Sequence, residues 1–182
     1  MWKINVKTIV AIGIGAALFF VLGRFVAIPC PVPNVTISVQ YGLLAFMAAV
    51  FGPLAGLLIG LIGHFLIDLS WGWGIWWSWV IASAAFGFLM GLLGNRTRLA
   101  NGQFGAKGAI SFNIAQLVGH AGAWMAIAPL LDMLIYSEPA NKVFLQGLVA
   151  GLSNVVTTAI VGTLLCFAWA AAIPDKGSLK KE

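Results

Sequence analysis

His64 and Asp68 stand four residues apart in an otherwise apolar stretch. That spacing puts an imidazole and a carboxylate about 40° apart on one helical face. Asn113, Gln116, His120 and Trp124 fall within an arc of about 80° on another helix, and Gln146 and Asn154 lie about 80° apart on a third. Gln40-Tyr41 opens one more apolar run, and Trp71, Trp73, Trp76, Trp77 and Trp79 crowd a single short segment. Amide, imidazole and carboxylate groups can satisfy the donors and acceptors of a nitrogen-rich ring, while indole faces stack on it. The chemistry is recognition of a planar heterocycle in a dry pocket.

Polar side chains in apolar helices are costly, so their grouping carries information. Each has a plainer reading beside the functional one. Trp71 and Trp73 also suit interface anchoring. His64 with Asp68 also suits a satisfied interhelical pair, and Asn154 an amide joining two membrane helices. Asp132 is expected to pair with Arg24 or Lys142. The segment Pro29-Cys30-Pro31-Val32-Pro33-Asn34 is either a lid bearing Asn34 or a stiff connector.

The elements that must position these residues follow from composition. Of 182 residues, 61% are hydrophobic and 8% charged, against roughly 25% charged in soluble domains. A soluble enzyme is excluded. Charge-free stretches at 8–23, 25–67, 69–95, 108–131 and 143–174, each span needing about 20 apolar residues, predict an all-α integral membrane fold. It forms a single domain over 1–182 with six transmembrane helices. Breakers place them at about 8–25, 40–50, 54–69, 75–94, 108–136 and 142–172, with a kink at Pro129. The second is short for a full span and is expected to be re-entrant or strongly tilted. Residues 8–25 are read as a retained helix rather than a cleaved signal, because proline directly precedes Cys30.

Charge placement then orients the bundle. With the N-terminus inside, Lys3, Lys7, Arg96, Arg98, Lys107, Lys176, Lys180 and Lys181 face the cytoplasm, and only Arg24 and Lys142 face outward. Both termini are therefore expected to be cytoplasmic, with Asp68, Asp132 and Glu138 toward the outer side. The net charge of +5 is explained by topology, so no nucleic-acid partner is expected. Cys30 and Cys166 fall on opposite faces, so neither a disulfide nor a metal site is expected.

The sequence lacks a phosphate-binding G-x-x-x-x-G-K-[ST] loop, an H-E-x-x-H motif and a serine-centred G-x-S-x-G motif. Nor does it divide into inverted halves with broken helices, the plan of many self-sufficient transporters. A pocket without an engine implies partners that supply the energy. Small residues offer surfaces for close helix approach: Ala11, Gly13, Gly15 and Ala17, then Gly52, Gly56 and Gly60, Gly87 and Gly91, and Gly147 and Gly151.

In order, Ala11–Arg24 (AIGIGAALFFVLGR), Gln40–Leu44 (QYGLL), Phe51–Gly56 (FGPLAG) and Gly63–Trp79 (GHFLIDLSWGWGIWWSW) resemble the substrate-binding S component of energy-coupling factor (ECF) vitamin transporters. The likeness lies in the branch of hydroxymethylpyrimidine or riboflavin S components and covers nearly the whole chain. It implies a binding subunit of the bacterial plasma membrane that is not itself an enzyme and needs no cofactor. Its implied partners are the lipid bilayer, a transmembrane coupling subunit and two cytoplasmic ATPases that drive toppling and inward delivery of a vitamin. Carried over, Ala11, Gly13, Gly15 and Ala17 match the docking motif. Asn34, Gln40, His64, Asp68, Trp76, Trp79, His120, Trp124, Gln146 and Asn154 occupy the places of the substrate pocket, beneath the first loop. His120, Trp124 and Asn154 match a histidine, aromatic and asparagine that thiamine-binding relatives use.

Hydroxymethylpyrimidine or a similar small ring is the expected cargo, with riboflavin as the alternative. Two other classes stand beside this reading. A small channel or stand-alone carrier would work in liposomes without partners, and an intramembrane enzyme using His64, Asp68 and His120 would turn its ligand over.

Overall fold

A computed structural model describes residues 5–72, 74–94, 97 and 99–173. Trp73, Lys3, Arg96, Arg98, Lys176, Lys180 and Lys181, used above for anchoring or topology, lie outside the described residues. Helix α1 (Val6–Phe25) starts where Asn5 accepts the Thr8 N–H at 2.9 Å, a side-chain N-cap. After it come strands β1 (Ile28–Pro29) and β2 (Thr36–Ile37), then α2 (Gln40–Phe51), α3 (Pro53–Trp71) and α4 (Trp77–Gly94). A 3₁₀ turn at Leu99–Asn101 leads to α5 (Ala106–Gly122).

Two wide turns interrupt the last two long helices. A π-turn at Ala123–Ile127 joins α5 to α6 (Ala128–Tyr136), and another at Thr158–Gly162 joins α7 (Ala140–Thr157) to α8 (Thr163–Ala172). The expected break at Pro129 is thus realised as a π-turn just upstream of it. Proline has no N–H to give the preceding turn, and the ladder widens where that bond is missing. The second π-turn falls at Thr158, where no proline marks the sequence.

Among the described residues, five helical stretches are long and apolar enough to cross a membrane: Val6–Phe25, Pro53–Trp71, Trp77–Gly94, Ala106–Tyr136 and Ala140–Ala172. Helix α2, with 12 residues, is shorter, covering about 18 Å at 1.5 Å per residue where the hydrocarbon core is about 30 Å thick. Yet α2 is the most enclosed element, buried from Gln40 through Ala49. It is the central post around which the longer helices pack. Two boundaries differ from expectation. Helix α3 continues through Trp71, ended by Gly72 in the left-handed region (φ 78°), and α4 begins only at Trp77.

Close approach is carried by glycine where α3 crosses α4. A methyl group on Gly56 would strike the Gly87 carbonyl, and one on Gly87 would strike that of Gly56. The same logic seats Gly147 of α7 against the Trp124 carbonyl oxygen. Small residues here let backbones touch, which is how helices gain packing in a solvent as apolar as themselves.

The segment between α1 and α2 departs from the all-α expectation. Ile28 pairs with Ile37 and Pro29 with Thr36 in a short antiparallel ladder. Asn34 adopts φ 61° near its tip, a left-handed conformation that asparagine tolerates. Two side chains tie this hairpin to α7. Gln146 Nε2 donates to the Pro33 carbonyl at 2.9 Å, and Thr157 Oγ1 donates to the Ser38 carbonyl at 2.8 Å.

Candidate functional site

Beneath the hairpin, at the bundle end where α1 and α3 finish and α2, α4 and α7 begin, lie two adjoining cavities of about 280 and 360 Å³. Asn34, His64, Asp68 and Trp79 line both and form the wall between them. Trp76, Asp132, Gln146, Glu138 and Lys142 complete the first. Gln40, Tyr41, Trp71, Trp124 and Asn154, with the hairpin itself, enclose most of the second.

Asp132 organises the first cavity. It is 1% exposed, and its Oδ1 accepts the Trp76 indole N–H at 2.6 Å and the Ser78 hydroxyl, while Oδ2 accepts the Trp79 indole N–H at 2.8 Å. Three donors on one carboxylate hold two indoles in place, as a buried acceptor-only group requires. The expected pairing of Asp132 with Arg24 or Lys142 is not present. Arg24 instead lies over the Trp71 ring at 3.9 Å, and Lys142 pairs with Glu138 at 2.7 Å, one turn away on the surface. Both cations stay near water, where charge is cheap, and the buried carboxylate is met by indole and hydroxyl groups.

His64 and Asp68 do come together on one face of α3. His64 Nε2 is 3.6 Å from Asp68 Oδ1, and Nδ1 is 2.6 Å from the Ser83 hydroxyl, which also meets the Tyr41 hydroxyl at 3.0 Å. Asp68 Oδ2 accepts the backbone N–H of Trp76 at 2.8 Å and so fixes the turn entering α4. Oδ1 is left facing the cavities.

His120 lies behind the wall instead of in it. It is fully buried, stacked on Phe86 at 4.0 Å between ring centroids. Trp124 Nε1 donates to its Nδ1 at 3.0 Å, so Nδ1 is the acceptor and Nε2 carries the proton, directed at Thr158 Oγ1 at 3.0 Å. That bond draws on the second π-turn, which begins at Thr158. Trp124 in turn stands edge-on to Tyr41 at 5.1 Å and tilted against Trp79 at 5.2 Å. His120 lines neither cavity and instead positions Trp124, an indole that lines the larger one.

The other expected site residues, Asn34, Gln40, His64, Asp68, Trp76, Trp79, Trp124, Gln146 and Asn154, all line one or both cavities. Two amide oxygens there, Gln40 Oε1 and Asn154 Oδ1, are buried without a hydrogen-bond donor. Asn113 and Gln116, on the same arc as His120, line neither cavity. Asn113 instead bonds the Ala109 carbonyl and Thr163. Asp132, Ser78 and Ser83 are the residues whose part in the site the pattern of types did not reveal. A serine in a run as apolar as α4 is a signal of polar demand, and both Ser78 and Ser83 answer one.

Residues 3–171 match the sequence model of the ECF-type riboflavin transporter S component. The chain belongs to that family. The S-component match runs from before α1 to one residue short of the end of α8. Relatives include UPF0397 proteins of Staphylococcus aureus strains MSSA476 and Newman, each 49% identical over 179 residues, covering 98% of this chain and 97% of theirs. The family is one of transporter components, and this S component is accordingly a multi-pass membrane protein of vitamin uptake. Its small-residue stripe on α1 divides in two: Ala11 and Gly15 are buried, with Gly15 against Ile59 and Met47, whereas Gly13 and Ala17 are exposed.

Proposed function

We propose that this protein is the high-affinity substrate-binding subunit of an ATP-driven ECF importer in the bacterial plasma membrane. It is a single six-helix domain with both termini cytoplasmic, and α2 is the sixth, short helix. The cavities beneath the hairpin open toward the outer side and take a small, flat, nitrogen-bearing vitamin or precursor, hydroxymethylpyrimidine first among them. One observation carries the reading: an end-of-bundle cavity beneath the hairpin, with the indoles of Trp79 and Trp124 on its walls beside the side chains of Gln40, His64, Asp68 and Asn154.

Energy comes from elsewhere. The coupling subunit and two ATPases of the family's transporters are the implied partners, meeting α1 through its small residues. A second reading, riboflavin as cargo, is favoured by the family description and by the two adjoining volumes, which a three-ring ligand would span and a single pyrimidine would not. Mass spectrometry of small molecules that co-purify with the protein tests the proposal. A vitamin-like heterocycle released on denaturation, rebinding below micromolar Kd, is expected. Absence of any such compound, with no heterocycle binding tighter than micromolar, would sink it.

A further inference from the structure

The two longest helical stretches, Ala106–Tyr136 and Ala140–Ala172, each carry one π-turn, and side chains join the two turns. Trp124, the second residue of the first turn, lines the larger cavity and donates its indole N–H to His120 Nδ1 at 3.0 Å. His120 Nε2 then meets the hydroxyl of Thr158, the first residue of the second turn, at 3.0 Å. Thr158 is fully buried and lines neither cavity. A continuous chain of hydrogen bonds therefore leads from the cavity wall into the junction of α7 and α8. Turns of this kind are rare and often mark functional sites. Each holds one residue more than an α turn, so gaining or losing it re-aims the helix that follows.

The second turn sits where such a change would be felt. A Cβ on Gly162, its last residue, would lie 2.9 Å from Phe112 Cζ of α5 and 3.2 Å from the Gly42 carbonyl oxygen of α2. Helix α8 leaves the turn wedged between those two neighbours, and its Cys166, one turn further on, is 0% exposed. Helix α2 closes the circuit, because its Tyr41 lines the larger cavity and stands edge-on to both Trp124 and His120. One group in this region lacks a partner. Gln116 lies one helical turn from Phe112 and one from His120 on the same face of α5, is 1% exposed, and its Oε1 receives no hydrogen bond. A buried acceptor without a donor raises the free energy of the packing that strands it. That narrows the gap to an arrangement that satisfies it, and two close-lying packings are what a coupling element requires.

Resting on the binding-subunit reading, we propose that the paired π-turns form one joint that carries the state of the cavity to the opposite end of the bundle. A ligand seated against the Trp124 indole restrains it. Through His120 and Thr158 that restraint holds the second turn and keeps α8 packed on α2 and α5. With the cavity empty the chain loosens at Trp124, and the α8 end opens more often. The coupling is reciprocal, so breaking the chain at Thr158 weakens binding in a cavity that Thr158 does not line.

Cys166 serves as the reporter, since a fully buried thiol reacts only when its surroundings open. The full-length protein in detergent is treated with N-ethylmaleimide, and modification of the Cys166 peptide is followed by mass spectrometry. The probe is riboflavin, 4-amino-5-hydroxymethyl-2-methylpyrimidine or, where tryptophan fluorescence shows that neither binds, the compound that co-purifies. A saturating probe is expected to slow Cys166 modification at least fivefold. Thr158→Val keeps the shape of the side chain and removes its oxygen; it is expected to cut that protection below twofold and weaken probe binding at least threefold. Thr158→Ser, which keeps the hydroxyl, is expected to retain both. Unchanged Cys166 reactivity on binding would overturn the joint and leave the binding-subunit reading intact, as would full protection in Thr158→Val. Hydrogen exchange on the wild type gives a second readout that stands even if Thr158→Val does not fold. Equal protection of the backbone amides of residues 6–16, at the same end of the bundle, would mean general stabilisation and overturn the joint too. Binding of neither compound, with nothing co-purifying, would remove the reading and the joint together.

Discussion

At the scale of single residues, the sequence named most of the wall but not the hierarchy within it. Helical spacing was enough to bring His64 to Asp68, since both sit on one face of α3. Nothing local could show that Asp132 would collect two indoles and a hydroxyl, because its partners Trp76, Ser78 and Trp79 are more than fifty positions away in the chain. Reading it as a partner of Arg24 or Lys142 followed charge alone, and desolvation decided otherwise. Asp132→Ala strands the indole N–H groups of the exposed Trp76 and the half-buried Trp79 together with the buried Ser78 hydroxyl, for which the lost bond alone costs roughly 1–3 kcal/mol. It should lower the thermal unfolding temperature in detergent markedly and weaken ligand binding by more than tenfold. An Asp132→Ala protein as stable as wild type would mean that the three donors find other partners. His120 acts through Trp124 and Thr158, so His120→Phe should also lower the unfolding temperature. Because His120 lines neither cavity, its affinity loss should be smaller than that of Asp132→Ala.

At the scale of elements, the breakers were legible and the faces were not. Proline and glycine clusters mark where helices stop, and the observed ends fall within a few residues of the expected ones. The helices, however, are apolar nearly all round, so no 3.6-residue stripe distinguishes the packed side from the lipid side. Glycine and polar residues are the only face markers available. They served where a motif reports close approach, as at Gly56 and Gly87, and failed for α1, where the same kind of stripe turned both inward and outward. The π-turns illustrate the limit: one lies just upstream of Pro129, while the other begins at Thr158, whose hydroxyl meets His120 only in the packed bundle. Gly87→Val should force α3 and α4 apart, because the added side chain meets backbone that cannot rotate away. The expected result is loss of a monodisperse peak on size-exclusion chromatography and loss of ligand binding together.

At the scale of the whole molecule, the fold divides labour between a closed end and an open flank. The cavity end is enclosed by the hairpin and by α7, while α1 leaves Val6, Ile9, Val10, Ile14, Leu18 and Val21 exposed, a surface that only lipid or another membrane protein can cover. The split within its small residues gives a clean pair of variants. Gly13 has nothing within 4 Å of an added Cβ, whereas a Cβ on Gly15 would lie 2.6 Å from Ile59 Cδ1 and 3.1 Å from Met47 Cε. Gly13→Trp therefore projects from the bundle without disturbing it. If that flank docks onto the coupling subunit, the variant should bind ligand with unchanged Kd in detergent yet abolish ATP-dependent uptake by the assembled importer. Gly15→Trp drives an indole into the contact between α1 and α3 and should reduce stability and ligand binding alike, before any partner is involved. Uptake unaffected by Gly13→Trp would move the docking surface off this face of α1. Loss of ligand binding in Gly13→Trp would instead mean that the flank communicates with the cavity through α3, the helix that carries His64 and Asp68.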